Sequence, residues 1–182
     1  MKGVRILSTF LFVFLVGTSC SENQDFDQLD DLAITPTYET SVFYVKAQES
    51  LINRVSGISF FSQDFNFDAF EEPFFAERVL SGVISYELEN TTSKTIEISI
   101  EFLDENENVL DTEEFRMEAA PTSVLMRDVA YGATGKSLDI IRNTSKLRLV
   151  ASNLGADDTS TSGLADAAII LRSSAKFTLE LK

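Results

Sequence analysis

From residue 78 onward the chain is dominated by a period of two. In residues 82–90, Ile84, Tyr86 and Leu88 fall on one parity and Ser85, Glu87 and Glu89 on the other. In residues 94–102, Ile96, Ile98, Ile100 and Phe102 alternate with Thr95, Glu97, Ser99 and Glu101. Successive side chains of a strand point to opposite faces, so this pattern predicts strands with one buried and one wet face. Leu147, Leu149 and Ala151 repeat it, and so do Ala175, Phe177, Leu179 and Leu181. Further strands are expected at 41–45, 109–117 and 123–131. Leu51, Ile52, Val55 and Ile58 are spaced for a short helical turn, and Ser137 stands where it would cap another at 138–143. About seven strands with short turns predict an all-β chain: a single antiparallel β-sandwich with Greek-key connections, immunoglobulin- or fibronectin-like in architecture.

The breaks between strands carry turn chemistry. Asn90-Thr91-Thr92-Ser93 reads as a turn joining two adjacent strands, whose outer glutamates would repel if opposed. Basic neighbours such as Lys94 are expected to intervene. Residues 104–108, DENEN, read as a hairpin tip. The calcium-loop pattern fits at Asp104, Asn106 and Asn108, but fails where Val109 replaces the glycine and Phe115 the final glutamate. Residues 132–137, GATGKS, contain the residue types of a phosphate loop, but Gly132 and Gly135 are spaced too closely for one.

One segment breaks the alternation. Residues 60–75 hold seven of the fifteen phenylalanines: Phe60, Phe61, Phe65, Phe67, Phe70, Phe74 and Phe75. Acids are interleaved with them, and Pro73 rules against one continuous helix. Two readings stand. The segment is a connector whose rings plug the open end of the core, or some of the rings stay exposed as a surface for a partner.

Charge narrows the partners. The chain has 15 basic and 29 acidic residues and a net charge of −14. A chain this acidic repels phosphate backbones, which argues against nucleic acid. The charge is lopsided: residues 20–118 carry 23 acids and 5 bases, residues 119–182 carry 6 acids and 8 bases. Interleaving of the two halves in the fold would neutralise much of this difference. There is no histidine and one cysteine. That removes the commonest general base, the commonest zinc ligand and any internal disulfide, and no metal or cofactor is expected. A carboxylate pair is the chemistry most open to such a chain, but its acids fall mainly on wet strand faces and in turns, so a non-enzymatic role is expected.

The N-terminus speaks to location. Lys2 and Arg5 precede an apolar run, residues 6–16, and Gly17, Thr18 and Ser19 lead to Cys20. Eleven residues of helix span about 16 Å, roughly half a bilayer core and suited to a signal peptide. Residues 16–20, VGTSC, resemble the lipobox of bacterial lipoproteins, with Gly17 where a bulky aliphatic residue is usual. The following residues 21–25, SENQD, are similar to the export signal on Bacteroidetes surface lipoproteins. The resemblance implies removal of residues 1–19 and lipidation of Cys20. Residues 20–36 then form an acidic tether containing Asp25, Asp27, Asp30 and Asp31, and residues 37–182 form the domain. The expectation is a non-catalytic lipoprotein of the cell envelope, attached to the outer membrane through its lipid, acting as a binding or structural module such as an accessory subunit of an envelope complex. The alternative is a calcium-dependent adhesion or glycan-binding module.

Overall fold

The computed structural model describes residues 34–55, 58–67, 73–120, 124–155 and 160–181. They form eight strands: β1 (Thr37–Gln48), β2 (Ser59–Asn66), β3 (Val79–Asn90), β4 (Ile96–Leu103), β5 (Val109–Met117), β6 (Leu125–Gly132), β7 (Lys146–Asn153) and β8 (Ala168–Leu179). Three helical turns join them: α1 (Glu49–Ile52), α2 (Pro73–Ala76) and α3 (Leu138–Asn143). Sheet 1 has the order β1-β8-β3-β6 and sheet 2 the order β2-β7-β4-β5, with every pairing antiparallel. The two-sheet sandwich expected from the alternation is therefore present. Its wiring is that of an eight-stranded jelly roll, two Greek keys wound into facing sheets. Only β4 and β5, joined at residues 104–108, are consecutive neighbours in one sheet. All other connections cross between the layers.

The core follows the predicted parity. Ile84, Tyr86 and Leu88 of β3 face Ile96, Ile98, Ile100 and Phe102 of β4 across the sandwich, and all are buried. Leu147 and Leu149 of β7 and Ala175, Phe177 and Leu179 of β8 join the same cluster. A buried side chain of this size contributes about 1.5–3 kcal/mol, so the interior faces of the four central strands carry most of the stability. Ser137 caps α3 as expected, its Oγ accepting from the Asp139 N–H at 3.1 Å.

Three expectations are corrected. The eighth strand, β2, lies in the phenylalanine-rich segment: residues 59–66 pair with β7 rather than forming a connector. The turn at 90–93 does not join adjacent strands, because β3 and β4 lie in different sheets. Asn90 holds that crossing, its Nδ2 donating to the carbonyls of Lys94 and Glu118 at 2.8 Å and its Oδ1 accepting from Thr92. Lys94 does not separate surface glutamates; it is buried in the same turn. The outer glutamates meet bases elsewhere: Glu87 and Glu89 face Arg172 of β8, and Glu101 faces Arg148 of β7.

Candidate functional site

The two long sides of the sandwich are closed by different chemistry. On one side the edge strands are β1 and β2. There Phe43 stacks on Phe65 with ring centroids 5.2 Å apart, and Phe60 and Phe61 pack partly buried against the core. The register shift between Ser59 and Phe61 lets two consecutive rings turn toward the interior. On the other side the edge strands are β5 and β6, and the closure is ionic. Lys136, in the loop after β6, reaches across so that its Nζ donates to Asp111 and to Glu113, each at 2.6 Å. Arg127 of β6 donates to the Glu114 carbonyl at 2.9 Å and lies 4.2 Å over the Phe115 ring. The loop that delivers Lys136 is tight. A Cβ on Gly135 would lie 2.0 Å from the Ala130 carbonyl oxygen, and Gly132 sits at φ 113°.

Asp111 and Glu113 are two carboxylates that converge on one cation. The lysine shared between them fills the gap that a substrate bond would need. Burial works against the Lys136 charge, but the bonds to Asp111 and Glu113 outweigh it and hold its pKa above the ordinary value. Behind the ion pairs, Tyr86 and Tyr131 are buried, and among the described residues nothing bonds either hydroxyl. Both phenols are pushed up, first by burial and then by neighbours, Tyr131 and the two acids for Tyr86, the two acids for Tyr131. The seam is a staple between sheets.

The open surfaces are elsewhere. On the outer face of sheet 1, Ser41, Ser174 and Ser85 lie side by side on β1, β8 and β3. Next to them Tyr44, Arg172, Glu87 and Met126 form a second cross-strand row. Together they line a trough of about 360 Å³. Arg172 donates to Glu87 at 2.6 Å and lies 5.8 Å from the Tyr44 ring centroid, so the row offers an exposed ring beside a charged pair. A second recess, about 420 Å³, separates the 104–108 hairpin from α3 and is lined by Asp104, Asn106, Arg142 and Asn143. The Asp104 carboxylate is used within its own loop: it accepts from the Asn106 and Asn108 N–H groups and the Asn108 side chain, which hold its pKa low. Among the described residues no group of three or more acids, cysteines or histidines could hold a metal ion.

The residues singled out in the sequence are dispersed. Cys20 and Phe70 lie outside the described residues. Phe67 is turned into the core at 6% exposure, and Phe75 sits edge-on over Phe177 at 6.0 Å. Phe60, Phe61 and Phe65 are half-buried along the β1–β2 side. Phe74 is open to solvent, 59% exposed, with the Arg78 guanidinium 4.1 Å over its ring. The six described phenylalanines thus do not form one continuous surface. Sequence reasoning missed the serine trough, because its residues come together only through strand pairing. The polar parity of Ser85 and Glu87 was its sole signal.

No family model and no curated protein matches the chain. Among solved structures it is similar to the VP2 subviral particle of infectious bursal disease virus, at 14% identity and TM-score 0.38, covering 80% of this chain and 32% of that one. It is similar also to desmodium yellow mottle tymovirus, at 8% identity and TM-score 0.36, covering 83% and 89%. A disulfide-linked pilus protein of Bacillus endospore appendages matches at 11% identity and TM-score 0.37, covering 88% and 96%. The chain spans about a third of the length of the bursal disease virus chains.

Proposed function

We propose that the protein is a non-catalytic binding or structural module of the bacterial cell envelope, held at the outer membrane by lipid on Cys20. The observation that carries the reading is the placement of the only cysteine between an eleven-residue apolar run and an acidic tract. The disposition of the acids supports it. Glu113, Asp111, Glu87, Asp64 and Glu118 each bond a lysine or arginine, so they serve the sandwich as ion-pair partners. Membrane fractionation with mass spectrometry of the mature N-terminus tests the anchor. Wild type should partition with membranes and carry acyl chains, and Cys20→Ala should be released. A Cys20→Ala protein that stays with the membrane sinks the proposal.

A second reading is favoured by the trough on sheet 1. An exposed tyrosine ring, three serine hydroxyls and an Arg–Glu pair are groups that suit a polyhydroxylated ligand, which makes a glycan-binding module the alternative. Calorimetric titration against a glycan panel tests it, with Tyr44→Ala as the variant that should abolish any binding.

A further inference from the structure

At one end of the sandwich, sheet 1 is extended by residues before β1 and after β8. Ile34 pairs with Leu181 through N–H to carbonyl bonds of 3.1 and 2.8 Å, and the Leu179 N–H donates to the Pro36 carbonyl. Residues 37–41, the start of β1, are exposed throughout. Tyr38 is registered against Phe177, on the parity that becomes core further along the sheet. Here, among the described residues, it is left half open: Ile34 and Tyr38 are 53% and 51% exposed. Phe74 of α2, beside the ring that closes over Phe177, is exposed at the same end, and so is Leu80, at the register shift between Val79 and Ser81. Arg78 lies over the Phe74 ring and donates to the Phe74 carbonyl at 3.2 Å.

We infer that this end is a bilayer-contacting face, with Ile34, Tyr38, Phe74 and Leu80 resting at the boundary between head groups and acyl chains. The inference rests on the lipid-anchor reading of Cys20. Exposed apolar side chains alone do not single this end out, because the opposite end exposes Leu51, Ile58, Leu154 and Leu164. The attachment point does. Ile34 stands fourteen positions after Cys20; as the tether expected from the sequence, that link has a root-mean-square span of about 20 Å. The opposite end lies a further strand length away, about 40 Å for the twelve residues of β1.

The chemistry fits an interfacial position. Tyrosine and phenylalanine place ring area in the boundary, and Arg78 keeps its charge at head-group level while its stem covers apolar surface. Charge selects the lipid. The same end carries Glu39, Glu77, Asp104, Glu105, Glu107, Asp139 and Glu180 against Arg78, Arg142, Lys146 and Lys176, so acids outnumber bases and a zwitterionic surface is preferred to an anionic one. Four separate side chains also present far less area than a stable protein interface requires.

The chain has no tryptophan, so one introduced tryptophan reports alone. Lipidated full-length Phe74→Trp and Tyr38→Trp, in zwitterionic vesicles with brominated acyl chains, should shift their emission to the blue and lose intensity by quenching. Leu164→Trp at the far end should keep both, and anionic vesicles should weaken the quenching. Unquenched Phe74→Trp and Tyr38→Trp on protein shown to be acylated and vesicle-bound would overturn the inference while leaving the anchor intact. Equal quenching at both ends overturns it too. Absence of acyl chains on Cys20 removes the anchor reading and this inference with it. Dimerisation of the Cys20→Ala protein that Phe74→Asp abolishes would assign the face to a second copy, and that also overturns it.

Discussion

Lys136 is half-exposed, yet both of its partners are shielded: the Glu113 side chain is 8% exposed and that of Asp111 18%. Removing the lysine leaves two shielded acids with, among the described residues, Arg127 as the remaining cation, at 3.5 Å from Glu113. Lys136→Met is therefore expected to cost about 2 kcal/mol, less than a fully buried pair because the lysine end is solvated. Glu113→Gln should cost about half as much, since Asp111 keeps the lysine bound. Urea unfolding measures both. Tyr86 sits behind the same seam with the opposite expectation. No described group bonds its hydroxyl, so Tyr86→Phe removes a polar atom without breaking a bond and should leave stability unchanged or raise it by up to about 1 kcal/mol. Loss of more than that would show that the hydroxyl has a partner. The phenol's pKa is raised in the folded chain, so its contribution is complete below the ordinary value of 10.0 and is lost as pH rises above it. Tyr86→Phe should accordingly make the alkaline loss of stability shallower.

Among the elements, β3, β4, β7 and β8 were legible because each is buried on one face along its whole length, which writes a strict period of two into residues such as Ile96, Ile98 and Ile100. β2 was obscured by its place at an edge. Gln63 shares the parity of Phe61 and Phe65 but is exposed, and the register shift puts Phe60 beside Phe61, so alternation fails locally. The crossing at 90–93 was misread for a different reason. Asn, Thr and Ser bond a tight turn in the same way whether the next strand stays in the sheet or leaves it, and only distant pairing decides. The trough on sheet 1 was hidden by the same limit, since Ser41, Ser85 and Ser174 are brought together from three distant strands. The phenylalanine-rich segment supplies an internal test of this account. Phe67→Ala should cost about 3–4 kcal/mol, as for a buried ring in a close-packed core, whereas Phe74→Ala should cost less than about 0.5 kcal/mol. Thermal or urea denaturation of the two variants decides it, and equal losses would contradict the placement of both rings.

At the scale of the whole molecule, the lopsided charge along the chain is resolved by the winding. The strand order sets bases from the C-terminal half among acids from the N-terminal half. Arg148 lies against Asp64, Glu101 and Glu107, Arg172 against Glu87 and Glu89, Lys146 against Glu107, and Lys136 against Asp111 and Glu113. A jelly roll makes this possible because its last strands enter the middle of each sheet, β7 between β2 and β4 and β8 between β1 and β3. The pairs on the solvent faces are individually weak, so their effect is best seen through pH. The hydrogen bonds from Arg148 hold Asp64 below its ordinary 3.8, and those from Lys146 hold Glu107 below its ordinary 4.5. Glu49, buried at the opposite end, is also lowered: burial pushes it up, but bonds from Ser93 and Ser160 and the nearby Lys94 charge outweigh this. In each case the folded chain holds a proton less readily than the unfolded chain. The stability these groups contribute is therefore full above the ordinary carboxyl values and is lost as pH falls through the lowered folded values. The Tm is expected to stay level from pH 8 to about 5 and to fall steadily below that. Arg148→Gln should lower the Tm at pH 7 and flatten the acid limb, because Asp64 would return toward its unfolded affinity for protons. An acid limb in Arg148→Gln as steep as in wild type would show that the cross-half pairs do not govern it.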